Sequence, residues 1–312
     1  MAERDWIARY FAPAAASDGA AGLKDDVCVL TCDASRALVA TVDALVEGVH
    51  FLTSDPISSV ARKLVRVNVS DILAKGAAPS EALLTLGWPE GRSEGELALF
   101  ADALAEELEA WGARLVGGDT TASPGGLFLS LALTGMCGAR GPIRRQGARD
   151  GDELWVSGDI GAACLGFRAL QAGDGANPFV DAYQELRLPP ESIAGLVRDH
   201  AAASMDVSDG LLGDARQLAE ASGLAVHIDL DRVPFAGGEP DLKEMLQLAT
   251  WGDDYQVLMA APPTSASLIS QEASESGIKI TRIGSFQSGH GLTVMSGGTL
   301  VNLPETLGFE HG

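Results

Sequence analysis

Gly138-Ala139-Arg140-Gly141-Pro142-Ile143-Arg144-Arg145-Gln146-Gly147-Ala148-Arg149-Asp150-Gly151 interrupts the apolar patterning of the chain. Glycine, proline and arginine dominate here, the composition of a connection and not of a helix or strand. A chain of 312 residues has length for two domains, each with its own core. The boundary is therefore set here, between an N-terminal domain of residues 1–139 and a C-terminal domain of residues 140–312.

On the N-terminal side, Leu127 to Thr134 reads as a buried strand, and Leu115-Val116 runs into Gly117-Gly118-Asp119. Ser93 and Glu96 make a capping box for a helix with Leu97, Phe100, Leu104, Leu108 and Trp111 at helical spacing, stopped by Gly112. Pro56 opens another helix, whose stripe of Ile57, Val60, Ala61 and Leu64 continues through Asn68 and Asp71. A carboxylate on an inward helix face is costly unless something pairs with it. Val27 to Leu30 and Leu38 to Val42 read as short strands.

On the C-terminal side, a strand is expected at Leu154 to Ser157, helices near Glu191 to Ala202 and Leu211 to Ala221, and strands near Val226 to Ile228 and Gln256 to Met259. This alternation is too irregular for a doubly wound sheet, so the fold class is α+β. Asn68-Val69-Ser70-Asp71-Ile72-Leu73 and Asp206-Val207-Ser208-Asp209-Gly210-Leu211 echo one another across the boundary. The echo means either two related halves or coincidence over six residues.

Lys plus Arg number 22 against 43 Asp plus Glu, a formal charge of −21, so the chain cannot coat a nucleic acid or an anionic membrane. No apolar stretch reads as a transmembrane helix, and charges at Glu3, Arg4, Asp5 and Arg9 leave no signal-peptide core. Cys28, Cys32, Cys137 and Cys164 lack metal-ligand spacing and read as buried free thiols of a cytoplasmic protein. None of the five lysines follows a glycine, which excludes a P-loop, and protein-kinase motifs are absent.

What recurs is aspartate at element ends beside Gly, Ser or Thr: Asp25-Asp26, Asp43, Asp71, Asp119, Asp206 with Asp209, and Asp253-Asp254. Singly these are caps and turns. Together they suit magnesium, which takes oxygen ligands and bridges carboxylates to substrate phosphates. Phosphoryl transfer needs such electrostatic stabilisation more than covalent help from the protein. An arginine between 140 and 149 can then contact phosphate in a fixed fork. His50 follows the second expected strand and lines the same cleft in this reading.

As a set, Asp43-Ala44-Leu45-Val46-Glu47-Gly48-Val49-His50-Phe51, Asn68-Val69-Ser70-Asp71, Gly117-Gly118-Asp119-Thr120-Thr121 and Asp206-Val207-Ser208-Asp209-Gly210-Leu211 resemble the thiamine-monophosphate kinase family. That family belongs to the aminoimidazole ribonucleotide synthetase-like superfamily, and the resemblance runs from Ile7 to Phe309. It implies two α/β domains of that superfamily's type, the N-terminal one dimerising through its sheet and the C-terminal one covering the nucleotide and substrate. It also implies ATP- and magnesium-dependent phosphorylation of thiamine monophosphate to thiamine diphosphate by direct in-line transfer, the last step of thiamine diphosphate biosynthesis.

Motif by motif, the resemblance makes Asp26, Thr41, Asp43, Asp71, Asp119, Asp206 and Asp209 ligands of several magnesium ions. Of these, Asp43, Asp71, Asp119 and Asp209 carry the catalysis. Gly118, Asp119, Arg145 and Ser208 contact ATP; His50, Asp253 and Phe309 contact thiamine monophosphate. The implied protein is a cytoplasmic homodimer without nucleic-acid or membrane partners. Departures from the family pattern are Lys24, Val42, Asp253 for the usual Glu, Gln256 for an acidic residue, Gly158 to Ala163, and Phe309 for a larger aromatic. Rival readings are a ring-closing ATP-dependent enzyme of the superfamily, selenophosphate synthesis, and an idle nucleotide-binding relative.

Overall fold

The computed structural model describes residues 7–15, 30, 33 and 35–309. Two compact units emerge, one made of residues up to Ile72 with Ala77–Gly141, the other of Leu73–Gly76 with Pro142 onward. The expected strand at Val27 to Leu30 falls largely outside the described residues.

The first unit is built on a four-stranded sheet in the order β1-β4-β2-β3, with β1 Leu38–Val46, β2 Ala77–Pro89, β3 Arg114–Ser123 and β4 Phe128–Cys137. Neighbours run antiparallel except β2 and β3, which are parallel. Helices α1, Ile57–Ala74, and α2, Glu94–Ala110, accompany it. Both arise as the apolar spacing dictates: Ile57, Val60, Ala61 and Leu64 are buried on α1, and Leu97, Phe100, Leu104 and Leu108 on α2. Ser93 and Glu96 close the capping box at the start of α2, and Gly112 follows its end at φ +67°.

The two helices are tied by a bidentate pair, Arg66 Nε to Glu107 Oε1 at 2.7 Å and Arg66 Nη2 to Glu107 Oε2 at 3.0 Å. Trp111, expected on the apolar stripe, instead donates its indole N–H to Glu107 Oε1 at 2.8 Å. Strand β2 is central to this sheet yet carries no clean alternation, because Pro79 and buried Glu81 stand in it. A register shift between Pro79 and Ala82 absorbs the proline.

The second unit has a seven-stranded sheet in the order β11-β10-β7-β9-β5-β8-β6. Its strands are β5 Glu153–Ser157, β6 Ala203–Val207, β7 Leu224–Asp229, β8 Gln256–Ala261, β9 Ile280–Ser288, β10 Gly291–Ser296 and β11 Thr299–Leu300. Its helices are α3 Ala162–Gln171, α4 Val180–Gln184, α5 Ile193–His200, α6 Leu211–Ala221, α7 Leu242–Trp251 and α8 Ala266–Glu275. Leu211, Leu212, Ala215 and Leu218 of α6 join Val156, Met205, Val207, Leu258 and Phe286 of the sheet in one core. Strands β5 and β6 both pair antiparallel with β8, so Ser157, Val207 and Gln256 meet at one end of the sheet.

The two echoing hexapeptides occupy different structures. Asn68 to Leu73 lies within α1, whereas Asp206 to Leu211 spans the end of β6, a turn and the start of α6. With unlike sheets as well, the echo marks no repeated half. Among the described residues no helix is long and apolar enough to cross a membrane.

Helix α1 lies so close to the sheet that a Cβ on Gly135 of β4 would meet Ile72 Cγ2 at 2.6 Å. Gly135→Val should therefore push α1 from the sheet, lowering stability by about 1–3 kcal/mol, the usual cost of overpacking. An unchanged urea midpoint would show that the contact is slack.

Candidate functional site

Alternation along β1 sends Thr41 and Asp43 to the helix side of the sheet and Val42 to the other. Asn68 and Asp71, three residues apart on α1, face them. Thr41 Oγ1 donates to Asp71 Oδ2 in a short hydrogen bond. The Asp43 amide donates to Asn68 Oδ1 at 3.1 Å, and Asn68 Nδ2 donates to the Leu64 carbonyl at 3.0 Å. Buried Asn68 therefore fixes the backbone that carries Asp43. Burial, and then the nearby Asp71 charge, push the Asp43 carboxyl up to about 6.

His50 lies in the turn after β1, where its Nδ1 accepts from the Val46 amide at 3.0 Å, so a neutral ring carries its proton on Nε2. Glu47 anchors that turn, accepting from Arg92 Nη2 at 3.0 Å and from the Leu127 amide at 2.7 Å. Asp119 stands apart from this group. It pairs in register with Thr85 and through it with Ser130 and Ala44, on the face opposite Asp43. Three inter-strand spacings, roughly 14 Å, separate their strands. Gly118 beside it, at φ +156°, has no room for a side chain, since a Cβ would meet the Leu84 carbonyl oxygen at 2.0 Å.

In the second unit, β6 carries buried Asp206 and delivers the chain into the turn Ser208-Asp209-Gly210. Two segments clamp this turn through backbone bonds. The Asp253 amide donates to the Ser208 carbonyl at 2.8 Å and the Tyr255 amide to Val207 at 2.7 Å; the Phe309 amide donates to Asp209 at 2.8 Å. Asp253 and Tyr255 hold φ of +61° and +48°, a strained geometry for residues other than glycine. Such outliers persist where the surroundings impose them, and functional sites are where they gather. Phe309 is 49% exposed beside the turn.

Neighbouring residues brace that clamp. Burial pushes the Asp254 carboxyl up to about 7, against the pull of the amides of Gly161, Ala162 and Ala163, so Asp254 caps the first turn of α3. Gln256 is fully engaged, accepting from Ser157 Oγ at 2.9 Å and donating to the Arg187 carbonyl at 2.6 Å. Its departure from an acidic residue is therefore a packing solution. Asp159, in the atypical Gly158 to Ala163 loop, pairs with Lys279.

Two polar positions were not singled out for roles by their sequence. Asn68 stands on the α1 stripe and in the Asn68-Val69-Ser70-Asp71 motif, which by themselves give its side chain no role. Asp214 is fully buried in the first turn of α6 and accepts from the amides of Asp209 and Gly210 at 3.1 Å each. Burial, Asp209 and Asp206 push its carboxyl up to about 8. The signal existed: Asp214 interrupts the buried run of Leu211, Leu212 and Ala215, as Asp71 interrupts that of α1. Asp26, Lys24, Cys28 and Cys32 lie outside the described residues, while Cys137 and Cys164 are buried free thiols, the latter pushed up to about 12 by burial.

Both clusters offer oxygen donors alone, the set preferred by hard divalent cations. Among the described residues no group of three or more His, Cys, Asp and Glu side chains is placed to hold a metal unaided.

The model of the AIR synthase related protein N-terminal domain matches residues 24–137, and that of the C-terminal domain residues 149–297. Thiamine-monophosphate kinase of Caulobacter vibrioides is 38% identical, over 99% of this chain and 91% of its own length. The chain belongs to the thiamine-monophosphate kinase family. Its AIR synthase related domains are those of solved family members. Thiamine-monophosphate kinase from Stenotrophomonas maltophilia superposes with a TM-score of 0.79 at 32% identity, covering 89% of this chain and 90% of that one. AaThiL complexed with AMPPCP and TMP superposes with a TM-score of 0.75 at 30% identity, covering 90% and 89%.

The Asp43 and Asp71 pair gives a pH-dependent expectation for this family member freed of metal. A carboxyl raised above its unfolded value contributes stability below pH 4 that is lost as pH rises through about 6. Asp71→Asn, which keeps an acceptor for Thr41, should lower the Asp43 pKa without restoring it, because burial is the larger cause. It should also raise Tm at pH 8 in chelator. Carbon-13 titration of labelled aspartates reads the shift; an unmoved Asp43 would refute the coupling.

Proposed function

We propose that this protein is a thiamine-monophosphate kinase that moves the γ-phosphoryl group of ATP onto the phosphate of thiamine monophosphate, giving thiamine diphosphate and ADP. The observation that carries the reading is the strained clamp on Ser208–Asp209. Asp253 and Phe309, the residues assigned to substrate, hydrogen-bond through their amides to the turn assigned to ATP and metal. The full-length likeness to kinases, and the AMPPCP and TMP held by AaThiL, support the choice of donor and acceptor.

Magnesium fits the donor sets. It is ordinarily held by one or two carboxylates together with phosphate oxygens and waters, so no three-carboxylate cage is needed. Thr41, Asp43 and Asp71 would serve in the first unit and Asp206 and Asp209 in the second; Asp119, on the other face of the first sheet, would hold an ion apart from that pair, and Asp26 is the further carboxylate of the set. When bound, the ions neutralise charge on the two polyanions and so let them approach.

The remaining roles belong to this chain's own groups. Arg145 and the Ser208 turn orient the nucleotide, and Gly118 leaves its backbone bare for close approach of a phosphate. His50 offers its Nε2 proton to the acceptor phosphate, and Asp253 and Phe309 hold the thiamine moiety. The attacking oxygen is already anionic at neutral pH, so no strong general base is required. Buried thiols Cys137 and Cys164 suit a cytoplasmic location.

A homodimer through the four-stranded sheet completes the reading. The sheet face away from α1 exposes Val42 at 64% and Phe128 at 40%, a pattern suited to cover by a second copy. Val42 thus belongs to that face and not to the Asp43–Asp71 side. Phe128→Asp should yield monomers by light scattering; a persisting dimer would place the interface elsewhere.

The purified protein with ATP, magnesium and thiamine monophosphate should form thiamine diphosphate, with none formed from free thiamine and none after chelation. Turnover of free thiamine, or folded protein that binds ATP without turnover, would overturn the assignment.

A further inference from the structure

Helix α6 touches both nucleotide-facing parts of the second unit. At its first turn, Asp214 Oδ2 accepts from the amides of Asp209 and Gly210 at 3.1 Å each. One turn on, Gln217 Nε2 donates to Asp214 Oδ1 at 3.4 Å, and Gln217 Oε1 accepts from Arg145 Nη1 at 3.3 Å. Beyond its last residue, Ser222 Oγ accepts from the amides of Gly147 and Ala148 at 3.1 Å each and donates to the Arg145 carbonyl at 3.4 Å. The helix itself is locked, since Leu211, Leu212, Ala215 and Leu218 are buried against the sheet.

We propose that Asp214 and Gln217 are positioning residues, a hydrogen-bonded strut on α6 that sets the Arg145 guanidinium in register with the Ser208–Asp209 turn. The strut rests on the kinase reading, in which Arg145 and that turn engage the same nucleotide. Arg145 is an exposed side chain on a loop, and a long flexible cation there would sample many rotamers. Gln217 holds it at a fixed distance from Asp209, and Asp214 fixes Gln217 and the turn together. Phosphoryl transfer is sensitive to displacements of about 0.5–1 Å, so such a link matters without touching substrate. A plain helix cap would account for Asp214 at the amides of Asp209 and Gly210, but not for Gln217 bridging to Arg145.

The test uses the full chain. Gln217→Met keeps length and helix propensity on a half-buried position but removes both polar atoms. It should raise the ATP KM roughly 3- to 10-fold, leave the thiamine monophosphate KM and Tm unchanged, and weaken Mn2+ binding in the presence of AMPPCP, read by electron paramagnetic resonance. Asp214→Asn keeps one acceptor oxygen for the two amides but turns a donor toward Gln217 Nε2, so it should reproduce the ATP KM rise of Gln217→Met, whereas Asp214→Ala, which also frees the turn, should need about tenfold more magnesium for half-maximal turnover.

A folded Gln217→Met variant with an unaltered ATP KM would overturn the strut. So would Asp214→Asn with a wild-type ATP KM, since the acceptor for Gln217 would then be dispensable. If Asp214→Ala does not fold, Gln217→Met decides alone. Wild-type protein in the same assay separates the two levels: failure to make thiamine diphosphate sinks the kinase reading, while the Mn2+ measurement still reads the strut.

Discussion

The near-contact between helix α1 and the four-stranded sheet, where Ile72 leaves Gly135 no space for a methyl group, sets the geometry of the first unit. Only at that separation can Asp71 reach the Thr41 hydroxyl and Asn68 the Asp43 amide. The arrangement brings two carboxylates together in a partly dry place, which raises the free energy of the metal-free protein. Burial and mutual repulsion hold Asp43 well above the usual carboxylate range, and a divalent cation would relieve both. The fold thus stores at this point an electrostatic cost that a bound cation offsets.

The second unit uses backbone geometry for the same end. Val207 to Gly210 leaves the sheet end where β5, β6 and β8 meet, and amides from the 253–255 and 309 positions clamp it. Positive φ at Asp253 and Tyr255 is tolerated because Gly252 lets the loop pass within van der Waals contact of Ser208 and Asp209. Helix α6 then supports the turn from beneath through Asp214. Strain is confined to a few residues while the helix and sheet stay regular, a distribution expected where side chains must be aimed.

The part of the candidate site that is legible in the sequence is legible because polar residues in apolar stripes have few explanations. Asp71 interrupts the α1 stripe, and the helix runs through it to Ala74 as the periodicity requires. The capping box at Ser93 and the span of α6 were equally plain, since both are local signals. Strand β2 was not, because Pro79, Glu81 and Gly87 disguise a strand whose burial comes from both neighbours and a bulge. Nor does the sequence alone place Val42, a departure from the family pattern, which strand parity turns to the face opposite Asp43.

By itself the sequence determined the two-part organisation, the acidic character, the helices with strong periodicity, and the inventory of aspartates beside glycines and hydroxyl residues. These are local or compositional properties, written in spacing and residue type. Only the tertiary structure decided which aspartates are neighbours: Asp43 with Asp71, Asp209 with Asp214, and Asp119 on another face of the sheet. Strand order, register and the bulge at Ala82/Leu83 fix those distances. They follow from pairings between residues far apart in the chain, which no short window of sequence encodes.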